Sequence, residues 1–252
     1  MFYHDINPII ASIGPFEIRW YGMMYVLSFI FLYFMIGFLV KRKKVKLTSK
    51  DVEAFVIIET VALLVGARLF EVLVYYPSYY IANPAKIMAF WEGGLSFHGG
   101  LVGMIIAGYY FCKWKKINPL QMADIIVIPV GIALFLGRMG NFINGELYGR
   151  LTDVPWCFKF KGVEGCRHPS QLYEAAKNLV IFGTMWTIKD KKQPHGFFIA
   201  LFLMMYGVLR FTIEFVREPE IYVGPLTMGQ FLCVLMMIAG AGLMWHIKKP
   251  KI

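Results

Sequence analysis

Residues 21–40 read Tyr-Gly-Met-Met-Tyr-Val-Leu-Ser-Phe-Ile-Phe-Leu-Tyr-Phe-Met-Ile-Gly-Phe-Leu-Val, a stretch without a single charge, and Lys41, Arg42, Lys43 and Lys44 follow at once. As an α-helix rising 1.5 Å per residue, such a stretch is about 30 Å long, the thickness of a bilayer's hydrocarbon core. A surface helix of a soluble domain carries a charged face, and this one has none. The reading is a membrane span that ends in a basic cluster.

Six further candidates follow: Phe55–Val74, Leu95–Cys112, Leu120–Leu136, Leu172–Ile188, Gly196–Ile213 and Leu226–Ile247. Only 17% of the 252 residues are charged, low against the roughly 25% of soluble domains. The basic residues cluster at the ends of apolar runs: Lys41–Lys44 with Lys46 and Lys50; Lys113, Lys115 and Lys116; Lys189, Lys191 and Lys192; Lys248, Lys249 and Lys251. These are fifteen of the twenty-six lysines and arginines. Loops facing the cytoplasm carry such an excess, and all four clusters fall on one side only if seven spans start from an outside N-terminus. The net charge of +10 therefore reads as topology, not as a nucleic-acid surface.

The expected fold is an all-α polytopic membrane protein of seven transmembrane helices. Its N-terminus lies outside, its C-terminus is cytoplasmic, and residues 1–252 form one integral-membrane domain. Residues 139–171, the longest polar insertion, would make a small periplasmic cap. Tyr75, Tyr76, Tyr79, Tyr80 and Trp91 suit an interfacial aromatic belt. Met1–Asp5 lack the positive start of a signal peptide, so insertion is expected to rely on the spans themselves.

Ionisable residues inside spans cost roughly 2.5–3.5 kcal/mol each at mid-depth and are functional candidates by default. In the topology above they agree in depth. Arg68 and Glu71, His98, Arg138 and Asn141 all fall near outer ends, Tyr21 opens the first span from outside, and Arg210 lies about 21 Å up the sixth. Arg68 and Glu71, three residues apart, read as a structural pair. Tyr206, Arg210 and Glu214 share a helix face at four-residue spacing, which fits either one neutralising ion pair or a site. Glu59 has no evident role, and Asp124 reads as interfacial.

Two glycine-rich stretches stand beside these residues. Gly93-Gly94-Leu95-Ser96-Phe97-His98-Gly99-Gly100 brackets a histidine, and tight helix packing through small residues accounts for Gly99, Gly100 and Gly103. Gly137-Arg138-Met139-Gly140-Asn141-Phe142-Ile143-Asn144-Gly145-Glu146-Leu147-Tyr148-Gly149-Arg150 alternates glycine with polar side chains. Irregular backbone at membrane depth is tolerated where it lines a wet cavity. A transporter is a rival reading, but no internal repeat is visible and the polar groups sit outward of the midplane. A non-catalytic lipid-binding scaffold is another.

The second stretch closely resembles the signature of the prolipoprotein diacylglyceryl transferase family. So do Trp20-Tyr21-Gly22, Ser96-Phe97-His98-Gly99-Gly100, His168-Pro169-Ser170-Gln171-Leu172-Tyr173-Glu174, and Tyr206-Gly207 with Arg210 and Glu214. The matches run in family order from residue 14 to about 230. The resemblance implies transfer of a diacylglyceryl group from phosphatidylglycerol to the lipobox cysteine of a prolipoprotein signal peptide, in the bacterial inner membrane, with the site toward the periplasm. It implies a thioether product and glycerol 1-phosphate as the leaving group. The catalytic candidates it implies are His98, Arg138, Arg210, Glu214 and Tyr21. Candidates for phosphatidylglycerol binding are Arg138, Asn141, Asn144, Glu146, Gly149, Tyr206 and Arg210, with His168 as a further one.

Two guanidiniums can fork onto phosphate oxygens, so Arg138 and Arg210 are the expected phosphate binders. Glu146 and Glu214 would orient them, and Asn141 and Tyr21 would hydrogen-bond lipid oxygens. His98 is the candidate base for the thiol proton; alternatively it orients the head group while an arginine's field lowers the thiol pKa. No cofactor is expected, and no His/Cys/Asp/Glu spacing suggests a metal site. The outer loop between Arg150 and His168 looks short beside some relatives. Cys157 and Cys166 lie in this loop, on the expected oxidising side, and are expected to form a disulfide. Cys112 and Cys233 read as ordinary apolar residues of spans.

Overall fold

A computed structural model describes residues 1–248 apart from Pro15, Trp91, Glu92 and Glu220. Lys249 and Lys251 of the last basic cluster, and Trp91 of the aromatic stretch, lie outside the described residues. The protein is mostly helical, about 68%. The helices are α1 (Trp20–Arg42), α2 (Ser49–Phe70), α3 (Pro77–Ala82), α4 (Phe97–Lys115), α5 (Pro119–Asn144), α6 (Ser170–Ile188), α7 (Phe197–Glu214) and α8 (Met228–Lys248). Among the described residues, α1, α5, α7 and α8 are long and apolar enough to cross a membrane. The helices α2, α4 and α6, of 22, 19 and 19 residues, span about 28–33 Å. Ionisable residues dilute their apolar character, and in α6 these are Glu174 and Lys177.

The all-helical expectation needs one amendment. Among the described residues, six short strands pair into three two-stranded sheets. β1 (Phe2–His4) runs parallel to β4 (Phe158–Phe160), β2 (Ile9–Ile13) forms a hairpin with β3 (Phe16–Arg19), and β5 (Tyr222–Val223) pairs with β6 (Leu226–Thr227). The β1–β4 contact joins segments more than 150 residues apart, a pairing that no local pattern announces.

The chain divides into two compact units, Met1–Ile36 with Ala123–Ile252, and Gly37–Met122. In the second unit, α2 begins with a capping box, in which Thr48 Oγ1 accepts from Asp51 N–H and the Asp51 carboxylate accepts from Thr48 N–H. Lys115 at the end of α4 pairs with Asp51 at 2.6 Å. Higher up, α2 and α4 approach backbone to backbone. A Cβ on Gly66 would lie 2.5 Å from the Gly99 carbonyl oxygen and 3.0 Å from Gly103 Cα, and one on Gly99 would overlap Phe70 Cβ. The expected small-residue packing at Gly99 and Gly103 is therefore present, and its partner is Gly66.

Above α2 the chain passes through a π-helical turn, Glu71–Tyr75. Arg68 does not form the expected ion pair with Glu71. Its side chain is buried and its guanidinium donates to five carbonyls: Ile87 at 2.9 Å, Gly93 at 2.6 Å, Gly94 at 2.9 Å, Lys86 at 2.5 Å and Ala89 at 3.1 Å. The rings of Tyr80 and Phe90 lie 5.2 and 5.5 Å from its carbon centre. A planar fork with five N–H groups can tie a loop together in this way, where the single ammonium of lysine could not.

In the first unit, α7 packs on α8 through Gly207, whose Cβ would meet Met237 Cγ at 2.6 Å and the Cys233 carbonyl oxygen at 3.0 Å. Asp124 is buried, not interfacial. Its carboxylate accepts from Gly196 N–H at 2.7 Å and Ile199 N–H at 2.9 Å, capping the otherwise unsatisfied first turn of α7. The expected disulfide joins Cys157 and Cys166, with Cα atoms 5.6 Å apart, directly beside β4. Cys112 and Cys233 are free and buried.

Two outcomes follow for this architecture. Arg68→Ala strands the buried Ala89 carbonyl, at a cost of about 1–3 kcal/mol, and frees four part-buried ones. It should lower the thermal midpoint in detergent and open residues 84–94 to protease, with Arg68→Lys only a partial rescue. Thiol alkylation of denatured, unreduced protein should label Cys112 and Cys233 alone, and reduction should add Cys157 and Cys166; four labelled thiols without reductant would contradict the bridge.

Candidate functional site

The site is built on the first unit, where the glycine-rich stretch leaves the top of α5. The helix runs to Asn144, and the chain then reverses through Gly145 and Leu147, both in the left-handed region at φ +69° and +57°. Glycine adopts this conformation freely and leucine does not. Leu147 is held there from α6, because Ser170 Oγ donates to its carbonyl at 2.8 Å and Gln171 Nε2 donates to the Glu146 carbonyl at 2.6 Å. The first turn of α6 thus fixes the polar loop above α5. Ser170 and Gln171 are each 1% exposed.

At the centre stands Glu174 on α6, with Lys177 one turn below. Their side chains are each 1% exposed, and Lys177 Nζ donates to Glu174 Oε2 at 2.7 Å. The same carboxylate meets Arg210 Nη1 of α7 at 3.1 Å through Oε1, and Arg138 Nε of α5 at 3.7 Å through Oε2. Arg210 also pairs with Glu214 on its own helix. Glu214 in turn lies 3.6 Å from Arg217 Nε and accepts from Thr227 Oγ1 at 3.0 Å. Of the two readings of the Tyr206–Arg210–Glu214 face, the ion pair forms, and it is one edge of a larger network. Four cations, Arg138, Lys177, Arg210 and Arg217, surround two carboxylates, Glu174 and Glu214. The network therefore keeps an excess of positive charge.

Beside it opens a small cleft of about 160 Å³, lined by Arg210, Glu214, Arg217, Glu218, Ile221, Met228 and Gly229. Gly229 is required there, because a Cβ would lie 2.5 Å from Glu214 Oε1. The cleft wall carries two guanidiniums and two carboxylates, so the excess of positive charge lies in the network behind it.

The other sequence candidates take defined places. Asn141 Nδ2 donates to Glu146 Oε1 at 2.9 Å while Asn141 Oδ1 faces Arg138 Nη1 at 3.5 Å, so Glu146 reaches Arg138 only through Asn141. Asn144 Oδ1 is buried without a hydrogen-bond partner among the described residues. Tyr21 packs against Gly140, whose Cβ would stand 2.9 Å from its ring, and its hydroxyl lies 3.0 Å from that of Tyr25. Tyr206 offers its ring face to Lys177, with Nζ 3.5 Å from the centroid. His168 Nδ1 lies 3.1 Å from the Tyr173 hydroxyl, which also accepts from Trp156 Nε1 at 2.8 Å. Burial pushes the His168 imidazole below its ordinary pKa.

His98 belongs to the second unit. It sits in the first turn of α4, whose N-cap Ser96 accepts from Gly99 N–H at 3.2 Å, and its Nδ1 lies 3.1 Å from the Tyr75 hydroxyl. Sequence reasoning gave no role to Glu174, Lys177 or Arg217. Glu174 ends a motif that had been noticed, and a Glu-x-x-Lys pair inside an apolar stretch is the signal that points to it.

A family model described as prolipoprotein diacylglyceryl transferase matches residues 8–246. The chain is 42% identical to a phosphatidylglycerol–prolipoprotein diacylglyceryl transferase of Geobacter sulfurreducens, over 100% of this chain and 99% of the relative. It is 42% identical to the Bordetella parapertussis protein of that name, over 98% of each. The Rickettsia conorii protein is 45% identical, over 96% of each.

Gly149 joins the loop to the end of α7. Its N–H donates to the His168 carbonyl at 2.8 Å; a Cβ there would overlap the Val216 carbonyl oxygen and lie 2.8 Å from His168 Cβ. Overpacking of this kind costs about 1–3 kcal/mol. Gly149→Ala should therefore lower the thermal midpoint and raise protease sensitivity around residues 145–170, and a wild-type midpoint would contradict the close approach.

Proposed function

Because this chain belongs to the prolipoprotein diacylglyceryl transferase family, we propose that the ion network of α5, α6 and α7 is where it grips the phosphate of phosphatidylglycerol. The chain is a transferase that moves a diacylglyceryl group from phosphatidylglycerol to prolipoprotein, and it is a membrane protein with several apolar helices. The observation that carries the site reading is the excess of cations around Glu174 and Glu214, four against two, beside a cleft that Arg210 and Arg217 line together with Glu214 and Glu218.

In the proposed reaction, the lipobox cysteine thiolate attacks C3 of the diacylglyceryl glycerol. The new S–C3 bond forms as the C3–O bond breaks, and the bonding electrons leave on the phosphate oxygen. The products are a thioether-linked diacylglyceryl prolipoprotein and glycerol 1-phosphate. The phosphodiester carries one negative charge, and the departing phosphate monoester gains a second. Arg138 and Arg210 therefore hold the leaving group more strongly than the bound lipid, and interactions that strengthen along the reaction are the ones that accelerate it.

Glu214 holds Arg210 for this role, and Glu146 holds Asn141 beside Arg138. Tyr21, Asn141 and the unpartnered Asn144 oxygen are assigned to lipid glyceryl and head-group oxygens. Gly149 keeps the loop close, Tyr206 supports Lys177, and His168 stands at the mouth of the loop. His98 is assigned as the base for the thiol proton; with Nδ1–H donating to Tyr75, Nε2 is the basic nitrogen. The alternative, a thiol activated by an arginine's field, leaves His98 to orient the head group.

We assign the chain to the bacterial inner membrane as one integral-membrane domain of seven spans, N-terminus outside and C-terminus cytoplasmic. The site faces the periplasm under a cap of residues 139–171. Support comes from the basic clusters at alternate helix ends and from the disulfide in the cap, which suits an oxidising compartment.

The test uses purified protein in detergent, phosphatidylglycerol and a synthetic lipobox peptide, with mass spectrometry of the peptide cysteine. Arg138→Ala and Arg210→Ala should each lower the rate of diacylglyceryl adduct formation by about 10²–10³-fold, as loss of a transition-state donor does. A wild-type rate in either variant would remove that arginine from the site.

A further inference from the structure

One carboxylate, Glu174, is shared by cations from three helices. Its oxygens lie 2.7 Å from Lys177 on α6, 3.1 Å from Arg210 on α7 and 3.7 Å from Arg138 on α5. A carboxylate that only had to neutralise Arg210 would need no lysine, since Glu214 already pairs with that guanidinium. A lysine that only had to be neutralised could face a solvated partner. Instead Lys177 is buried on every side, with the Tyr206 ring face 3.5 Å from its ammonium and Glu174 as its carboxylate.

We infer that the buried Glu174–Lys177 pair is the positioning element of the site, setting the separation and orientation of the Arg138 and Arg210 guanidiniums. The inference rests on the reading of these arginines as the phosphate grip. Lys177 holds Oε2, the oxygen that Arg138 also approaches, while Arg210 meets Oε1, so Glu174 closes a bidentate fork on neither arginine. Each guanidinium then keeps N–H groups for an incoming anion. A free Glu174 would turn to Arg210 and occupy its fork, as carboxylates do. Among the described residues, Glu174 is the carboxylate paired with both guanidiniums, so without it their repulsion across α5 and α7 is offset only by Glu214 at Arg210. Neither Glu174 nor Lys177 needs to touch substrate. Both act through the arginines, and Tyr206 acts one step further back, as the apolar wall behind Lys177.

The test is the double variant Glu174→Gln/Lys177→Met, which removes both charges at nearly constant length. Replacing a buried pair as a unit is often neutral for stability, whereas removing one partner is not. Here Arg138 also loses its carboxylate, so the variant should melt below wild type, and its kcat per folded molecule for adduct formation should fall about 100-fold, the effect of an ångström-scale misplacement. Its phosphatidylglycerol KM should change less than about threefold, because both arginines still attract the lipid. A pair with a purely structural role would lower the melting temperature and the folded fraction while leaving kcat per folded molecule unchanged. A wild-type kcat per folded molecule, at any melting temperature, would therefore overturn the inference.

If the double variant does not fold, Glu174→Asp decides by the same criterion. It keeps the charge and withdraws the carboxylate by one methylene. Arg138→Ala is measured alongside. If that variant is inactive and the double variant is fully active, the positioning role alone fails. If Arg138→Ala is fully active, the phosphate-site reading fails and takes the inference with it.

Discussion

A charge removed from water costs several kcal/mol unless it finds a partner in good geometry, and in this protein that constraint falls hardest on α6. Glu174 and Lys177 sit in the first half of this helix with almost no exposure. Each is tolerable because of the other, and Glu174 in addition because of guanidiniums brought from α5 and α7. The order of dependence runs outward from there. Gln171 and Ser170, one turn earlier on the same helix, pin the loop that follows α5. That loop carries Glu146, which orients Asn141 beside Arg138. An error in the placement of α6 would therefore reach Glu146, Asn141, Arg138 and Arg210.

Arginine serves two purposes in this chain, and only the surroundings distinguish them. Arg68 exhausts its fork on five carbonyls of one loop and is flanked by Tyr80 and Phe90. It is a structural clasp with no donor turned toward a ligand. Arg210 meets two carboxylates and lines a cleft, and Arg217 lines the same cleft. The guanidinium chemistry is identical. Satisfaction by backbone carbonyls leaves nothing to attract an anion, whereas a network with more cations than carboxylates does.

Glycine divides in the same way. Gly66, Gly99 and Gly103 let α2 and α4 meet at the backbone, and Gly207 does so for α7 and α8, the close packing expected where lipid offers no hydrophobic drive between helices. Gly149 and Gly229 belong to the site. The first lets a loop lie against the end of α7, and the second makes room for the Glu214 carboxylate beside the cleft. In the sequence these glycines look alike.

The helical segments were legible because a stretch such as residues 21–40 has no charged face and ends in a basic cluster, and because backbone groups in an apolar setting must satisfy themselves locally. The polar candidates were legible for a related reason: Arg138, Arg210 and Glu214 are costly in such helices and so declare themselves by type. What the chain pattern could not reveal was which charges share a partner. The clasp of Arg68 on the carbonyls of residues 86–94, the capping of α7 by Asp124, the β1–β4 pairing and the convergence of three cations on Glu174 join residues far apart in sequence or on different helices. Local periodicity and composition are enough to determine where helices form and which residues are expensive to bury. Which expensive residues neutralise one another, and where an excess of charge is left for a ligand, is decided only when the helices are packed, because Coulomb and hydrogen-bond energies depend on distances of a few ångströms that spacing along the chain does not contain.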